Sequence, residues 1–182
     1  MSECKRNIEI KAKLKDEKEF NEKIKIAQEI TGQSSGEVIV QHDVFFKVPN
    51  GRLKLRYERD IAMLVQYSRD DVSGPKLSKF NVLNVSDGPL MEQMLDDSIG
   101  TLGVLDKTRH LFIHNGKTRI HLDVVKNNDS NYYGMEFEVV MNPEENLDVG
   151  NKIAEELMDK FQLSKSQLLE GSYFEILSKS SS

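Results

Sequence analysis

The 182-residue chain is 38% hydrophobic and 30% charged, and 25 Lys and Arg against 30 Asp and Glu leave a formal charge of −5. That size fits one domain with a real core, and the negative balance excludes general affinity for extended nucleic acid or an anionic membrane surface. With no run of about 18 apolar residues and no charged-then-apolar leader over Met1–Lys11, neither a membrane span nor a signal peptide is expected; the single cysteine, Cys4, excludes an internal disulfide and a thiolate metal cage and is read as incidental, so the chain reads as cytoplasmic.

Ile8, Ile10, Ala12 and Leu14 alternate with Asn7, Glu9, Lys11 and Lys13, the two-residue period of a half-buried strand. Asp16, with Glu19 three positions on, opens a mixed-charge helix whose Phe20, Ile24, Ala27 and Ile30 share one face and which ends at Gly32. Gly36–Val48 is a strand that turns at Pro49-Asn50-Gly51 into another over Arg52–Arg59, and Ile61–Ser68 makes a fourth. Arg69–Ser78 holds Gly74-Pro75 and reads as a loop before a short strand over Lys79–Ser86. Asp87 and Pro89 then open a helix over Leu90–Ile99 that Gly100 closes.

Strands near Val104–Ile113 and Lys117–Lys126 are joined at Asn115-Gly116, the strongest short hairpin signal. Asn127–Asn131 reads as polar loop and Met135–Met141 as the last long strand. Asn142-Pro143-Glu144-Glu145 predicts the cap and first turn of a helix running towards Phe161, followed by a short helix over Ser164–Leu169. The pattern gives an α+β class: a single domain over 1–177, with Ser178–Ser182 as a disordered tail.

Chemistry collects on the polar faces of the strands. Lys11, Lys13, Arg52, Lys54, Arg56, Lys107, Arg109 and Arg119 lie there, with carboxylates from Glu9, Glu136 and Glu138. Two Lys-x-Arg strand faces without interspersed acids repel one another unless an anion lies between them. An antiparallel sheet with one face in water alternates in the same way. The other reading is a closed barrel with a charged lumen and helices outside, satisfied by a polyanion and a divalent ion, because Arg and Lys clamp phosphate and carboxylates hold Mg²⁺ or Mn²⁺. Glu136 and Glu138 stand about 7 Å apart on one strand face, a spacing that can share metal ligation with Glu9.

His110 and His114, four apart on a strand and hairpin, share no helical face and do not read as a zinc pair. His121 shares the parity of Arg119 and reads equally as a phosphate contact or a hydrogen-bonded barrel histidine. Met91, Met94 and Leu95 read as core. Neither a phosphate-cradling Gly-rich loop nor a nucleophile elbow occurs, so side chains must hold any phosphate.

In order along the chain, Ile8-Glu9-Ile10-Lys11, Gln41-His42-Asp43-Val44-Phe45-Phe46, Pro49-Asn50-Gly51-Arg52-Leu53-Lys54-Leu55-Arg56, Tyr67-Ser68-Arg69, Gly74-Pro75-Lys76, Lys107-Thr108-Arg109, Thr118-Arg119-Ile120-His121-Leu122-Asp123, Glu136-Phe137-Glu138 and Gly171-Ser172-Tyr173-Phe174-Glu175-Ile176-Leu177 resemble the CYTH superfamily. These are the triphosphate tunnel metalloenzymes, and the chain looks closest to the class IV adenylyl cyclase-like branch. The resemblance implies an eight-stranded antiparallel β-barrel, a triphosphate tunnel with helices packed outside, binding its ligand with Mg²⁺ or Mn²⁺. It implies metal and catalytic roles for Glu9, Glu136 and Glu138, Asp123 as a further metal or water partner, and phosphate contacts from Lys11, Lys54, Arg56, Arg69, Lys107, Arg109 and Arg119. The family's first glutamate is Asn7 here, and the loss of that carboxylate is expected to remove one of two metal sites, to weaken metal binding, or to leave a triphosphate binder with little turnover.

The activity so implied is ATP binding and conversion to cyclic AMP and pyrophosphate. Alternatives are a triphosphatase acting on thiamine triphosphate, a nucleoside triphosphate or inorganic tripolyphosphate, and a non-catalytic polyphosphate- or nucleotide-binding module. The partner is a triphosphate-bearing small molecule, and homodimers are common among relatives.

Overall fold

A computed structural model of the chain describes residues 5–127 and 130–180, so the reading of Cys4 falls outside the described residues. Eight strands, β1 (Lys5–Lys13), β2 (Glu37–Phe46), β3 (Arg52–Glu58), β4 (Ile61–Arg69), β5 (Lys76–Val85), β6 (Thr101–His114), β7 (Thr118–Asn127) and β8 (Ser130–Met141), pair antiparallel throughout. Their order β1-β5-β4-β3-β2-β6-β7-β8 closes on itself, leaving no free sheet edge. The helices α1 (Glu17–Thr31), α2 (Gly88–Ile99), α3 (Leu147–Lys160) and α4 (Tyr173–Ser180) complete the chain. No described helix is long and apolar enough to cross a membrane.

Closure decides between the two readings of the alternating strands: the apolar faces point out under helices and the polar faces point into a lumen. Ile8, Ile10, Ile120, Leu122, Met135 and Phe137 form the outer core with Phe20 and Ala27 of α1 and Ala154 and Leu157 of α3. Burying each large side chain contributes about 1.5–3 kcal/mol. On the other flank Val44, Phe46, Leu55 and Ala62 pack beneath Met91 and Leu95 of α2, whereas Met94, expected in the core, is exposed on the helix's far side.

Local signals hold where side chains supply them. Glu19 N–H donates to Asp16 Oδ1 at 2.9 Å and Lys15 N–H to Glu19 Oε2 at 2.7 Å, capping α1. Asn115 and Gly116 both take positive φ, 51° and 71°, but His114 pairs with Thr118, so the hairpin loop holds three residues, Asn115, Gly116 and Lys117, and β7 starts one residue later than expected.

Several boundaries differ from expectation, and four of them have a clear physical cause. β5 starts at Lys76 because that ammonium is buried and donates to the carbonyls of Val72, Leu169 and Glu170. β8 starts at Ser130 because Tyr132 and Tyr133 pair with Val125 and Val124, extending the hairpin through residues read as loop. The helix expected from Asn142 begins at Leu147: Arg6 gathers the carbonyls of Asn142, Pro143 and Glu145, Glu145 caps Asn142 N–H at 2.8 Å, and Asn146 is the true N-cap. The short helix after α3 is a single 3₁₀ turn, Lys165–Gln167.

At the C-terminal end Ser172 and Glu175 cap each other, Ser172 N–H to Glu175 Oε2 at 2.7 Å and Glu175 N–H to Ser172 Oγ at 3.2 Å. They start α4, which runs on to Ser180 across the first part of the segment read as tail.

Candidate active site

A cavity of about 440 Å³ occupies the barrel lumen, lined by eight Lys and Arg side chains and five Asp and Glu side chains. A net basic interior thus sits inside a protein of charge −5. Strand parity places the expected residues: Glu9 and Lys11 from β1, Lys54 and Arg56 from β3, Arg69 from β4, Lys107 and Arg109 from β6, Arg119 from β7, Glu136 and Glu138 from β8 all line it. Asp123 does not. It is fully buried beside the lumen wall against Arg109. Two other basic strand positions also lie off the cavity: Arg52 pairs with Asp71 and Glu175, and Lys13 lies over the Tyr132 ring.

One wall holds the acids. The register sets Glu9 opposite Glu138 and Lys11 opposite Glu136, while from β7 Arg119 faces Glu138 and His121 faces Glu136. Lys11 Nζ donates to Glu136 Oε1 at 2.9 Å and stands 3.5 Å from Glu9 Oε1; Arg69 pairs with Glu9, and Arg119 Nη1 donates to Glu138 Oε2 at 3.2 Å. Burial works against ionising Glu136, but Lys11, His121 and Arg109 outweigh it and hold the carboxyl well below its usual range. Glu138 shifts the same way: burial opposes, and His121, Arg109 and Arg119 prevail despite Glu136.

His121, Glu136 and Glu138 each offer a ligand atom within 4.8 Å of the others, the one such group of three among the described residues. Burial, then Arg109, lowers the His121 pKa and keeps the imidazole neutral near pH 7. Two carboxylates and a neutral imidazole are the deprotonated donors that a divalent ion needs. The donor set therefore fits such an ion, with Glu9 on the adjacent strand.

The facing wall holds the cations around Asp43. Lys54 Nζ donates to Asp43 Oδ2 at 2.9 Å, Arg56 forks both oxygens at 2.6 and 2.8 Å, and Lys107 Nζ stands 3.9 Å away. Burial raises the Asp43 pKa, yet Arg56 and Lys54 together carry it well below its ordinary value. One carboxylate does not offset three cations: burial and then Arg56 push Lys54 down to about 8, and burial and Arg109 depress Lys107. An incoming anion would relieve both.

The sequence reading assigned no role to Asp43 or Gln41, although Ile39, Gln41, Asp43 and Phe45 alternate inward on β2 and the register sets Asp43 against Arg56. That lone acid among Val and Phe was the available signal. His121, which the sequence presents as a phosphate contact or a hydrogen-bonded barrel histidine, stands with Glu136 and Glu138 as a candidate ligand. Asn7 lines the cavity 3% exposed, its Oδ1 without a hydrogen-bond partner.

The barrel resembles solved structures over nearly its full length. A Pyrococcus horikoshii OT3 protein matches with TM-score 0.75 and 18% identity over 94% of this chain and 99% of its own. A candidate adenylate cyclase from Vibrio parahaemolyticus gives 0.68 and 24% over 94% and 97%. A candidate adenylyl cyclase from Hippeastrum, described with a dominant triphosphatase activity, gives 0.62 and 15% over 96% of each chain. At these identities the likeness is one of fold. No curated protein matches by sequence. The CYTH domain family model matches residues 5–173, the whole barrel and the start of α4, and the chain belongs to that family.

Proposed function

We propose that this protein is a metal-dependent enzyme that takes the triphosphate of a nucleotide or other organic triphosphate into the lumen and cleaves a phosphoanhydride bond. The carrying observation is the basic excess of the lumen, held at a cost in burial and mutual repulsion that a polyanion would offset. Lys54, Arg56, Lys107 and Arg109 bind non-bridging oxygens and neutralise charge as it develops, which is most of what catalysis of phosphoryl transfer requires. Glu136, Glu138 and His121, with Glu9 beside them, would hold Mg²⁺ or Mn²⁺, and the imidazole suits Mn²⁺ better. Bound there, the ion supplies charge neutralisation at the phosphates. Lys11, Arg69 and Arg119, now paired with those acids, would then be freed for phosphate. Asp123 has both oxygens engaged by Arg109 and acts by fixing that guanidinium rather than as an ion ligand.

Two reactions use these groups. Attack of a ribose 3′-oxygen on the α-phosphorus gives cyclic nucleotide and pyrophosphate, the reading supported by the class IV cyclase-like motifs. Attack of water on the terminal phosphorus gives orthophosphate and the diphosphate, a reading favoured by the Hippeastrum neighbour's triphosphatase activity. Product analysis with ATP and Mn²⁺ separates them: equal cyclic AMP and pyrophosphate for the first, ADP and orthophosphate for the second. Binding without turnover, unaffected by EDTA, would reject both in favour of a binding module.

A further inference from the structure

On the triphosphate reading above, on which this inference rests, Asp43 is an acid set into the wall that grips phosphate. Its strand β2 lies between β3 and β6 in the barrel. Asp43 pairs in register with Arg56 on one side and Leu105 on the other, and the two-residue inward period adds Lys54 beside Arg56 and Lys107 beside Leu105. The carboxylate thus meets cations from both neighbouring strands: Lys54 at 2.9 Å, Arg56 at 2.6 and 2.8 Å through two nitrogens, and Lys107 at 3.9 Å.

Three ordinary roles do not fit it. Both of its oxygens are taken by Arg56, one of them also by Lys54, and the candidate ion ligands His121, Glu136 and Glu138 lie on the other wall, so ligation is not its task. Proton abstraction is not either, because the same cations hold the carboxyl well below its ordinary range. It also differs from Asp123, which lies off the cavity against Arg109: Asp43 lines the lumen, and whatever enters feels its charge.

Depth decides how it acts. The Asp43 side chain is 1% exposed, whereas its partners Lys54 and Arg56 keep 12% and 14%. Seen from the lumen, the acid lies behind the ammonium and the guanidinium, and a phosphate meets them on their open side without displacing it. The same carboxylate then has two opposite effects. With the lumen empty it offsets the mutual repulsion of the cations and holds them in place; with the lumen filled it repels the phosphates across them.

We propose that Asp43 is a built-in counterion, a positioning residue that keeps Lys54, Arg56 and Lys107 assembled between binding events and weakens their hold on phosphate enough for a polyphosphate product to leave. Its removal should make the empty protein less stable and the filled one tighter. Those opposite signs set it apart from a purely structural residue, whose loss weakens folding and binding together.

The test is calorimetric titration of wild type, Asp43→Asn and Asp43→Glu with tripolyphosphate and with pyrophosphate in one Mg²⁺ buffer, alongside melting curves without ligand. Asp43→Asn should melt several degrees below wild type and bind both ligands at least about tenfold more tightly. Asp43→Glu, which keeps the charge, should stay within about threefold of wild type. Should Asp43→Asn fail to fold, the double substitution Asp43→Asn, Lys54→Met removes acid and cation together, the kind of neutral exchange that buried pairs tolerate, and it should bind more tightly than Lys54→Met alone. Unchanged or weaker binding on loss of the carboxylate, in either background, overturns the inference and leaves the triphosphate reading intact, as does an Asp43→Asn protein as stable as wild type without ligand. Failure of wild type to bind either ligand overturns both.

Discussion

Arg109 forks Asp123 across the β6–β7 pair, Nε to Oδ1 at 2.8 Å and Nη2 to Oδ2 at 2.7 Å, with the carboxylate wholly buried. The same Nη2 reaches Glu136 Oε2 at 3.0 Å, so a single guanidinium ties a structural acid to the acid wall of the lumen. Burial opposes the Asp123 charge, but Arg109 and then Lys107 hold the carboxyl at about 2.

Asp123→Asn should therefore destabilise the protein by about 3–5 kcal/mol, the usual penalty for leaving one partner of a buried pair uncompensated. The sign with pH follows. A carboxyl held below its unfolded value contributes stability above about pH 4 that is lost as pH falls towards 2. Denaturant melts across this window should show a steeper acid loss in wild type than in Asp123→Asn. Parallel curves would mean that the fork contributes no net stability.

Lys54 gives a second pH signature. Its pKa of about 8 in the free protein means that an anion, which favours the protonated ammonium, binds with proton uptake near that pH. Tripolyphosphate affinity should fall as pH rises through 8, with Lys107 contributing in the same direction. Without ligand the sign reverses: the folded chain holds fewer protons than the unfolded one between about pH 8 and 10, so stability rises there. Calorimetry in buffers of differing ionisation enthalpy reads the uptake directly, and Lys54→Gln should diminish it. A wild type with no proton uptake at pH 8 contradicts the assignment.

If the lumen is a polyanion site, tripolyphosphate must stabilise the native state by mass action. At a hundredfold excess over Kd the gain is about 2.7 kcal/mol, or a rise in melting temperature of about 5–10 °C for a chain of this size. Arg56→Ala, which removes one cation and one arm of the Asp43 clamp, should lose most of the rise. No rise in wild type at millimolar ligand would sink the triphosphate reading.

Strand parity made the lumen legible in the sequence, because a half-buried strand of either kind repeats every two residues and Lys54-x-Arg56 and Glu136-x-Glu138 stand out against Val, Ile and Phe. Parity does not say which acid meets which base. Asp43 and Asp123 look alike in sequence, yet register sends one to a cluster of three cations and the other into a fork with Arg109. Element ends were lost for a related reason: the carbonyls that Arg6 collects lie more than 130 positions away, and nothing local at Asn142 signals them. The Ser172–Glu175 capping box is local, three residues apart, and marks the start of α4 in the sequence itself.

Asn7 is where the chain departs from the family motif that it otherwise carries, and its surroundings predict the result of reversing the departure. It lines the lumen two residues before Glu9, opposite Ser78 on β5 and Val140 on β8, with its amide oxygen buried and unpartnered. An amide can offer oxygen to a cation but no charge. Asn7→Glu would bury another carboxylate beside Glu9, whose own partners are Arg69 and Lys11. The metal-free variant should melt several degrees below wild type, since a like charge and burial both oppose ionisation. Mn²⁺ should reverse that order, binding the variant at least about tenfold more tightly because a further anionic ligand joins the site. Calorimetric titration with Mn²⁺, paired with melting curves in EDTA, measures both effects without relying on turnover. A lower metal-free melting temperature with unchanged Mn²⁺ affinity would place position 7 outside the metal's reach and leave Glu9, His121, Glu136 and Glu138 as the whole donor set.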